Sequence, residues 1–165
     1  SFLYSGIGYG GSCFPKDVKA LAVTCESLGI NAELINQIDE ANQRQIDYAA
    51  DKILNYLKGL AQQNLKISIW GIAFKPNTSD IRESPILKVI NELTRQGVSV
   101  NIYDPEAMEE GRKYFGHNDS ISFSSERYEC LKESDLLVVA TEWSQFQELD
   151  FLRIKNKMRT PSVFF

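Results

Sequence analysis

Cys13 and Asp17 are the residues whose types and spacing could perform covalent chemistry. Cys13 precedes a predicted helix, where the helix macrodipole and the neighbouring Lys16 both favour a thiolate. Asp17 follows four residues later, so its carboxylate projects from the same helix face about one turn away. A thiolate can attack a carbonyl carbon, and a carboxylate can orient or deprotonate water. The spacing is equally compatible with a small apolar cysteine and an acid that complements the helix dipole.

A glycine-rich segment, residues 5–11 (SGIGYGG), precedes this pair. Gly6, Gly8 and Gly11 match the formal dinucleotide-binding pattern G-x-G-x-x-G. However, no strand is predicted before them, and the next predicted element after the first helix is a second helix. We therefore interpret the glycines as allowing the backbone to approach a ligand closely, with N–H groups free for anionic or hydroxyl groups.

The other cysteines and the single histidine offer no further chemistry. Cys25 and Cys130 lie on apolar faces of predicted helices, which favours structural roles for both. His117 lies in a polar loop, which predicts a solvated surface residue. Three scattered cysteines and one histidine do not provide a disulfide framework, a CxxC zinc site or a His-rich centre, so we expect no metal.

The composition is that of one ordinary domain, or of a domain with a helical appendage: 165 residues, 43% hydrophobic and 24% charged. The acidic balance, 18 Lys and Arg against 22 Asp and Glu, argues against nucleic-acid or membrane-surface partners. No apolar run approaches the roughly 20 residues that span a bilayer, and a reducing, cytoplasmic setting is expected. Because the chain starts at Ser1 and stops in the apolar run 163–165, we expect a fragment of a longer protein.

Hydrophobic periodicity predicts two helices in the first part of the chain. The first begins near Pro15 and ends at Gly29, and the second covers about 32–58. The second helix is long for a globular protein. It could form a dimer interface, or it could be buried within its own chain.

From about residue 63, strands alternate with helices, which predicts a parallel, doubly wound α/β sheet. Ligands in such sheets bind outside the carboxyl ends of the strands, here 71–80, 104–105 and 141–143. The predicted strands cover 66–70, 98–103, 121–123, 135–140 and 162–165. The predicted helices cover 85–97, with Ser84 as N-cap, and 105–114, 128–132 and 150–158.

Two long motifs resemble a known family. Residues 6–17 (GIGYGGSCFPKD) resemble the active-site signature of the UDP-glucose/GDP-mannose dehydrogenase family, and 71–85 (GIAFKPNTSDIRESP) resemble the signature of its C-terminal domain. The tripeptides at 103–105 and 141–143 fall where the family has similar ones. The resemblance implies part of the central helical domain over 1–62. It also implies a Rossmann-like, UDP-binding α/β domain over 63–165, truncated at its end.

The resemblance further implies an enzyme that oxidises the C6 alcohol of a nucleotide sugar to a carboxylate with two NAD⁺ and one water. Cys13 would carry a thiohemiacetal and then a thioester, and Asp17 would activate the water. The positions implied to contact substrate are Tyr4, Ser5, Gly6, Ile7, Gly8, Tyr9, Gly10, Phe74 and Lys75. Those implied to contact NAD are Cys13, Phe14, Pro15, Lys16 and Arg82.

The charges of Lys75 and Arg82 are consistent with the contacts that the resemblance implies. The ammonium group of Lys75 can bind a diphosphate as a point charge, and the guanidinium group of Arg82 can form two parallel hydrogen bonds to a pyrophosphate. Asp104 follows no glycine fingerprint, so we interpret it as a turn-forming Asp-Pro rather than a ribose ligand. Glu142 and Trp143 could border the ligand or belong to the packed interior.

UDP-glucose is the favoured substrate, with GDP-mannose and UDP-N-acetylmannosamine as alternatives. Two alternative hypotheses lie outside the enzyme class. The chain could be a stand-alone nucleotide-sugar-binding module, or it could be a dimerisation domain that acts through 32–58. Because the family's N-terminal NAD-binding domain is missing from this sequence, we expect the chain alone to be inactive as a dehydrogenase.

Overall fold

A computed structural model describes residues 6–164 of the chain, and two helices lead into its sheet. Helix α1 covers Phe14–Ser27 and helix α2 covers Glu33–Lys58, which confirms both predicted helices. Gly29 adopts a φ of 70°, and its N–H donates to the carbonyl of Glu26, so the chain turns sharply where the sequence predicted an end. Tyr4 and Ser5, which the resemblance places against the substrate, lie outside the described residues.

Five parallel strands form one sheet in the order β3-β2-β1-β4-β5, which confirms the doubly wound α/β prediction. The chain winds outward from β1 to β3 and then crosses back to β4. The carboxyl ends of β1 and β4 therefore form the topological switch point, where ligands of such sheets bind. The strands are β1 (Lys66–Trp70), β2 (Ser99–Tyr103), β3 (Ile121–Phe123), β4 (Leu136–Val139) and β5 (Val163–Phe164).

Short helices connect the strands, and two of them differ from the sequence expectation. Helix α4 begins at Met108 rather than Pro105, because Asp104 Oδ1 accepts the N–H groups of Glu106 and Ala107 at 2.9 Å each and holds a turn there. Helix α5 was not predicted, since a single turn has no periodicity to read. The connecting elements are α3 (Pro85–Arg95), α4 (Met108–Phe115), a 3₁₀ turn (Glu129–Leu131), α5 (Ser144–Gln147) and α6 (Phe151–Lys157).

Two apolar cores lie on the two faces of the sheet. Because side chains alternate along a strand, Ile67 and Ile69 of β1 point to the face that α2 and α3 cover, whereas Trp70 points to the opposite core around Phe146 and Ile154. Helix α2 thus shares a core with the sheet. This shared core fixes where the residues that precede α2 lie relative to the sheet.

The two halves of α2 behave differently. The second half is buried within its own chain, through Ile46, Ala49, Ala50, Ile53, Leu54 and Leu57. In the first half Leu34 is 78% exposed and Ile38 is 43% exposed. The expectation of a helix buried in its own chain is therefore confirmed for the inner face of the second half, whereas Tyr48 and Tyr56 on the same half are 60% and 38% exposed.

Within residues 6–164, no helix has both the length and the apolar content needed to cross a bilayer.

Candidate active site

The glycine segment before Cys13 docks against the loop that follows β1. The N–H of Gly11 donates to the carbonyl of Arg82 at 3.1 Å. A Cβ atom at Gly11 would lie 2.7 Å from the ring of Phe74, and one at Gly10 would lie 2.1 Å from the carbonyl oxygen of Glu83. Only glycine permits this approach. The two motifs that are distant in sequence therefore form one continuous surface.

Cys13 occupies the N-cap position of α1, and its side chain is exposed. Its sulfur lies 3.8 Å from the hydroxyl oxygen of Ser12. The N–H of Asp17 donates to the carbonyl of Cys13 at 2.9 Å, which confirms that the two residues are one helical turn apart. Lys16 Nζ lies 3.3 Å from Asp17 Oδ1, so a thiol, a carboxylate and an ammonium group share the exposed start of α1.

Arg82 is held rigidly by Asp80. Its Nε and Nη2 atoms donate to the two carboxylate oxygens of Asp80 at 2.9 and 2.7 Å. The hydrogen bonds from Arg82 lower the pKa of Asp80, and the charge of Lys75 adds to this effect. The same hydrogen bonds raise the pKa of Arg82.

Phe74 and Lys75 stand at the carboxyl end of β1, in the loop that receives the glycine segment. Phe74 is half-buried, and its N–H donates to the carbonyl of Asp80 at 3.1 Å. Lys75 Nζ lies 5.3 Å from the centroid of the Phe74 ring, and the lysine side chain remains exposed. An ammonium group over an aromatic face beside a glycine loop is a suitable surface for an anionic ligand with an apolar part.

Asp104 and Thr141 brace the start of this loop. Asp104 is 1% exposed, and its Oδ2 accepts the N–H groups of Ile72 and Ala73 at 2.7 and 3.0 Å. Thr141 donates from Oγ1 to the carbonyl of Ala73 at 2.7 Å. Both carboxylate oxygens of Asp104 are thus engaged by backbone. The interpretation as a turn-forming residue is confirmed, and its second role in holding the β1 loop was not predicted.

Helix α2 holds the other side of the glycine segment. Asn42 accepts the N–H of Tyr9 at Oδ1 (2.8 Å) and donates from Nδ2 to the carbonyl of Tyr9 (3.1 Å). Gln45 donates from Nε2 to the carbonyl of Gly6 at 2.9 Å, and the Tyr9 hydroxyl lies 3.4 Å from Asp39 Oδ1. Sequence reasoning missed these α2 residues, although a polar residue within an apolar helical stripe was a signal for Asn42.

Two residues considered in the sequence prove to belong to the interior. Cys130 is completely buried, burial raises its pKa to about 12, and its sulfur donates to the carbonyl of Asn101. Trp143 is buried as well, at 6% exposure, in the core that contains Trp70. The structural interpretation of Cys130 is confirmed, and of the two alternatives for Trp143 the packed one holds.

Three others considered in the sequence are at least partly accessible. His117 is exposed and lies 3.5 Å from Asp119, which confirms a surface residue. Glu142 is exposed, and Cys25 is half-buried on α1. Within residues 6–164, no group of three or more His, Cys, Asp or Glu side chains is arranged to hold a metal ion.

The groups at the start of α1 are chemically suited to border a nicotinamide dinucleotide. Phe14, next to Cys13, is 54% exposed. The side chains of Lys16 and Arg82 pair with Asp17 and Asp80 and remain exposed. The segment 6–11 does not fit the dinucleotide fingerprint itself, because among the described residues no strand leads into it, and its hydrogen bonds run to α2 and to Arg82.

The fold and the site together define a Rossmann-like α/β protein whose cysteine loop is seated at the carboxyl end of its sheet. The chain belongs to the UDP-glucose/GDP-mannose dehydrogenase family. The UDP-binding domain of that family matches residues 68–165, and its central domain matches residues 1–44.

Curated relatives and a solved structure agree with this membership. The chain is 36% identical over 163 residues to UDP-glucose 6-dehydrogenase of Pseudomonas aeruginosa, covering 97% of this chain. It is 39% identical over 160 residues to that of Rhizobium meliloti, again covering 97% of this chain. The chain spans 36% of the length of each of these relatives. A UDP-glucose dehydrogenase from Pyrobaculum islandicum superimposes with a TM-score of 0.80 at 31% identity, over 96% of this chain and 38% of that one.

Proposed function

We propose that this chain forms part of an NAD-dependent nucleotide-sugar 6-dehydrogenase that converts UDP-glucose to UDP-glucuronate. The observation that carries the proposal is the contact between Gly11 and Arg82 at 3.1 Å. It joins a cysteine loop to the loop that bears Phe74 and Lys75. Family membership supports the reaction class, and the relatives named UDP-glucose 6-dehydrogenase favour this substrate.

The chain would contribute two parts to the whole enzyme. Residues 1–62 would supply a portion of the central helical domain with the cysteine loop, and residues 63–165 the nucleotide-sugar-binding domain. The shared core of α2 and the sheet would keep the two parts in a fixed arrangement.

The nucleotide sugar would lie between the two loops. Lys75 is exposed beside the switch point of the sheet, where its ammonium can bind a diphosphate. Phe74 would pack against the sugar. The peptide groups of 4–10 that Asn42 and Gln45 leave free would bind the hydroxyl and phosphate oxygens of the ligand. This assigns substrate contacts to Tyr4, Ser5, Gly6, Ile7, Gly8, Tyr9, Gly10, Phe74 and Lys75.

Cys13 and Asp17 would perform the covalent part of the reaction. Once the C6 alcohol is oxidised to the aldehyde, Cys13 Sγ forms a bond to C6 and yields a thiohemiacetal. Loss of a hydride and a proton from this adduct gives a thioester. Asp17 orients a water molecule and accepts one of its protons as the water oxygen attacks the thioester carbon. The C–S bond then breaks, the sulfur leaves as the thiolate, and the carboxylic acid product loses its remaining proton to solvent.

The proposed cofactor site lies beside the thiol. Bound NAD⁺ supplies the hydride acceptor for each of the two oxidations. Phe14, Pro15 and Lys16 would border the nicotinamide together with Cys13, and Arg82 would bind a phosphate of the dinucleotide. Pro15 is buried at the start of α1, so it would fix the direction of its exposed neighbours.

We further propose that a second copy of the chain packs against the long helix over 32–58. The exposed apolar and aromatic residues of this helix are Leu34, Ile38, Tyr48 and Tyr56. Four such side chains exposed on one helix support an interface. Sedimentation equilibrium should give a dimer for the chain and a monomer for Leu34→Asp, with Lys58→Asp as a control on the same helix. A monomeric wild type would contradict the interface.

Calorimetry with UDP, UDP-glucose and GDP tests the proposed function. UDP and UDP-glucose should bind, GDP should bind more weakly, and Lys75→Ala should lose at least about tenfold in affinity because a cation to the diphosphate is removed. The control is Lys88→Ala, which removes an exposed lysine that is hydrogen-bonded to Gln43 and should leave the affinity unchanged. Tighter binding of GDP would favour a GDP-mannose dehydrogenase, and no binding of either nucleotide would contradict the proposal.

A further inference from the structure

Asn42 makes a two-point contact with the backbone of one loop residue. Its amide oxygen accepts the N–H of Tyr9 at 2.8 Å, and its amide nitrogen donates to the Tyr9 carbonyl at 3.1 Å. A side-chain amide carries an acceptor oxygen and a donor nitrogen side by side, so it can pair with the N–H and the carbonyl of one residue at once. The contact fixes both the position and the orientation of the Tyr9 peptide groups.

Asn42 lies at the edge of the core that α2 shares with the sheet. Ile46, four residues later, is buried in that core, Ile38, four residues earlier, is 43% exposed, and Asn42 itself is half-buried. Partial burial removes some of the water from the amide group, and the Tyr9 backbone supplies a hydrogen-bond partner for both of its polar atoms.

Neighbouring contacts make this the anchor of the whole segment 6–11. A Cβ atom at Gly8 would lie 2.7 Å from Asn42 Oδ1, so the loop backbone passes directly over the amide. One turn further along α2, Gln45 holds the carbonyl of Gly6 at 2.9 Å. At the other end, the N–H of Gly11 donates to the backbone carbonyl of Arg82. The loop is thus fixed at three points, of which Asn42 provides the central one.

We propose that Asn42 is the positioning residue of the glycine loop: it sets the Tyr9 backbone, and through it the surface that the nucleotide sugar meets ahead of Cys13. This inference rests on the proposed function for the identity of the ligand, but the contact itself can be tested without any ligand. The proposal concerns loop geometry and assigns no chemical step to Asn42.

The test compares Asn42→Leu, Asn42→Asp and the control Gln37→Ala in the 165-residue chain. Leu has a similar volume and makes neither hydrogen bond, whereas Asp keeps the acceptor for the Tyr9 N–H and loses the donor. Gln37 lies on the same helix and pairs only with the exposed Glu40. Amide hydrogen exchange resolved at Tyr9 reports the contact directly, the thermal midpoint reports global stability, and calorimetry reports UDP-glucose affinity.

We expect exchange at Tyr9 to accelerate roughly tenfold or more in Asn42→Leu and less in Asn42→Asp, with exchange in β1 unchanged. UDP-glucose affinity should fall in the same order, and Gln37→Ala should match the wild type in both. Unchanged exchange at Tyr9 in Asn42→Leu would overturn the inference. So would exchange that accelerates equally at Tyr9 and in β1, because Asn42 would then act only through global stability. If the wild type bound no UDP-glucose, the proposed function would fail while exchange still decided the role of Asn42.

Discussion

At the scale of single residues, the three thiols of the chain occupy three different environments. Cys13 is exposed at the start of α1, Cys25 is half-buried within it, and Cys130 is completely buried. We expect iodoacetamide at pH 8 to modify Cys13 first and Cys25 more slowly. Cys130 should stay unmodified in the folded chain, because a pKa of about 12 in place of 9.0 lowers its ionised fraction about a thousandfold.

Peptide mapping by mass spectrometry measures the three rates separately. In concentrated urea the three thiols should react at similar rates, which serves as the control for intrinsic reactivity. If Cys13 reacted no faster than Cys25 in the folded chain, its assignment as the nucleophile would lose its main physical support.

Asp104 supports the candidate site although it is not proposed to contact a ligand, so its substitution should disturb the site strongly. Its carboxylate accepts four backbone N–H groups, from Ile72, Ala73, Glu106 and Ala107. Asp104→Ala leaves these donors without their acceptor, and the three from Ile72, Ala73 and Ala107 are buried. The free energy of unfolding should therefore fall by about 3 kcal/mol. Asp104→Asn should recover only part, since an amide offers one oxygen. Urea unfolding measures both, and Asp119→Ala, at an exposed site, should be neutral.

At the scale of elements, the close approach of the glycine segment to the β1 loop can be tested with a matched pair of glycines. Gly11 and Gly97 have similar φ values of 90° and 81°. A Cβ atom at Gly11 would lie 2.7 Å from the Phe74 ring, whereas one at Gly97 would meet nothing within 4 Å. The two alanine variants therefore share the backbone penalty and differ in the contact.

We expect Gly97→Ala to lower the free energy of unfolding by about 1 kcal/mol, from the backbone penalty alone. Gly11→Ala should lower it by at least about 1 kcal/mol more, because the Phe74 ring or the whole segment must move. Only Gly11→Ala should also weaken UDP-glucose binding in calorimetry. Equal losses of stability in the two variants would show that the segment is not docked on Phe74.

The sequence predicted those elements whose boundaries depend on local chemistry. Helix α3 begins at Pro85 directly after Ser84, as proline at the first helical position indicates, and β1 has the predicted bounds of Lys66–Trp70. Ser84 occupies the predicted N-cap position, but its side chain makes no capping hydrogen bond among the described residues. Helix α4 could not be placed as well. The turn that delays its start is made by the side chain of Asp104, whose second pair of bonds, to the loop after β1, has no local signature.

At the scale of the whole molecule, the features that the sequence did not predict are those that depend on long-range contacts. The motifs before Cys13 and after β1 were recognised separately, and their contact through Gly11 and Arg82 required the fold. The bond between Asn42 and Tyr9 spans 33 positions, so no periodicity could predict it. The division of α2 into a buried and an exposed half also depends on where the sheet packs. Local chemistry thus indicated the parts of the candidate site, and tertiary packing determined how they meet.

The whole arrangement also predicts what this chain does in isolation. Hydride transfer requires the nicotinamide to be held against C6, and rates fall steeply when that positioning is lost. Within residues 6–164, no strand, glycine turn and helix follow one another in the dinucleotide-binding arrangement. We therefore expect the 165-residue chain to bind UDP-glucose and to release no NADH from UDP-glucose and NAD⁺. The absorbance of NADH measures this, with the complete Pseudomonas aeruginosa relative as the positive control. NADH formation that requires UDP-glucose would contradict the expectation, because this chain would then hold enough of the cofactor site for hydride transfer.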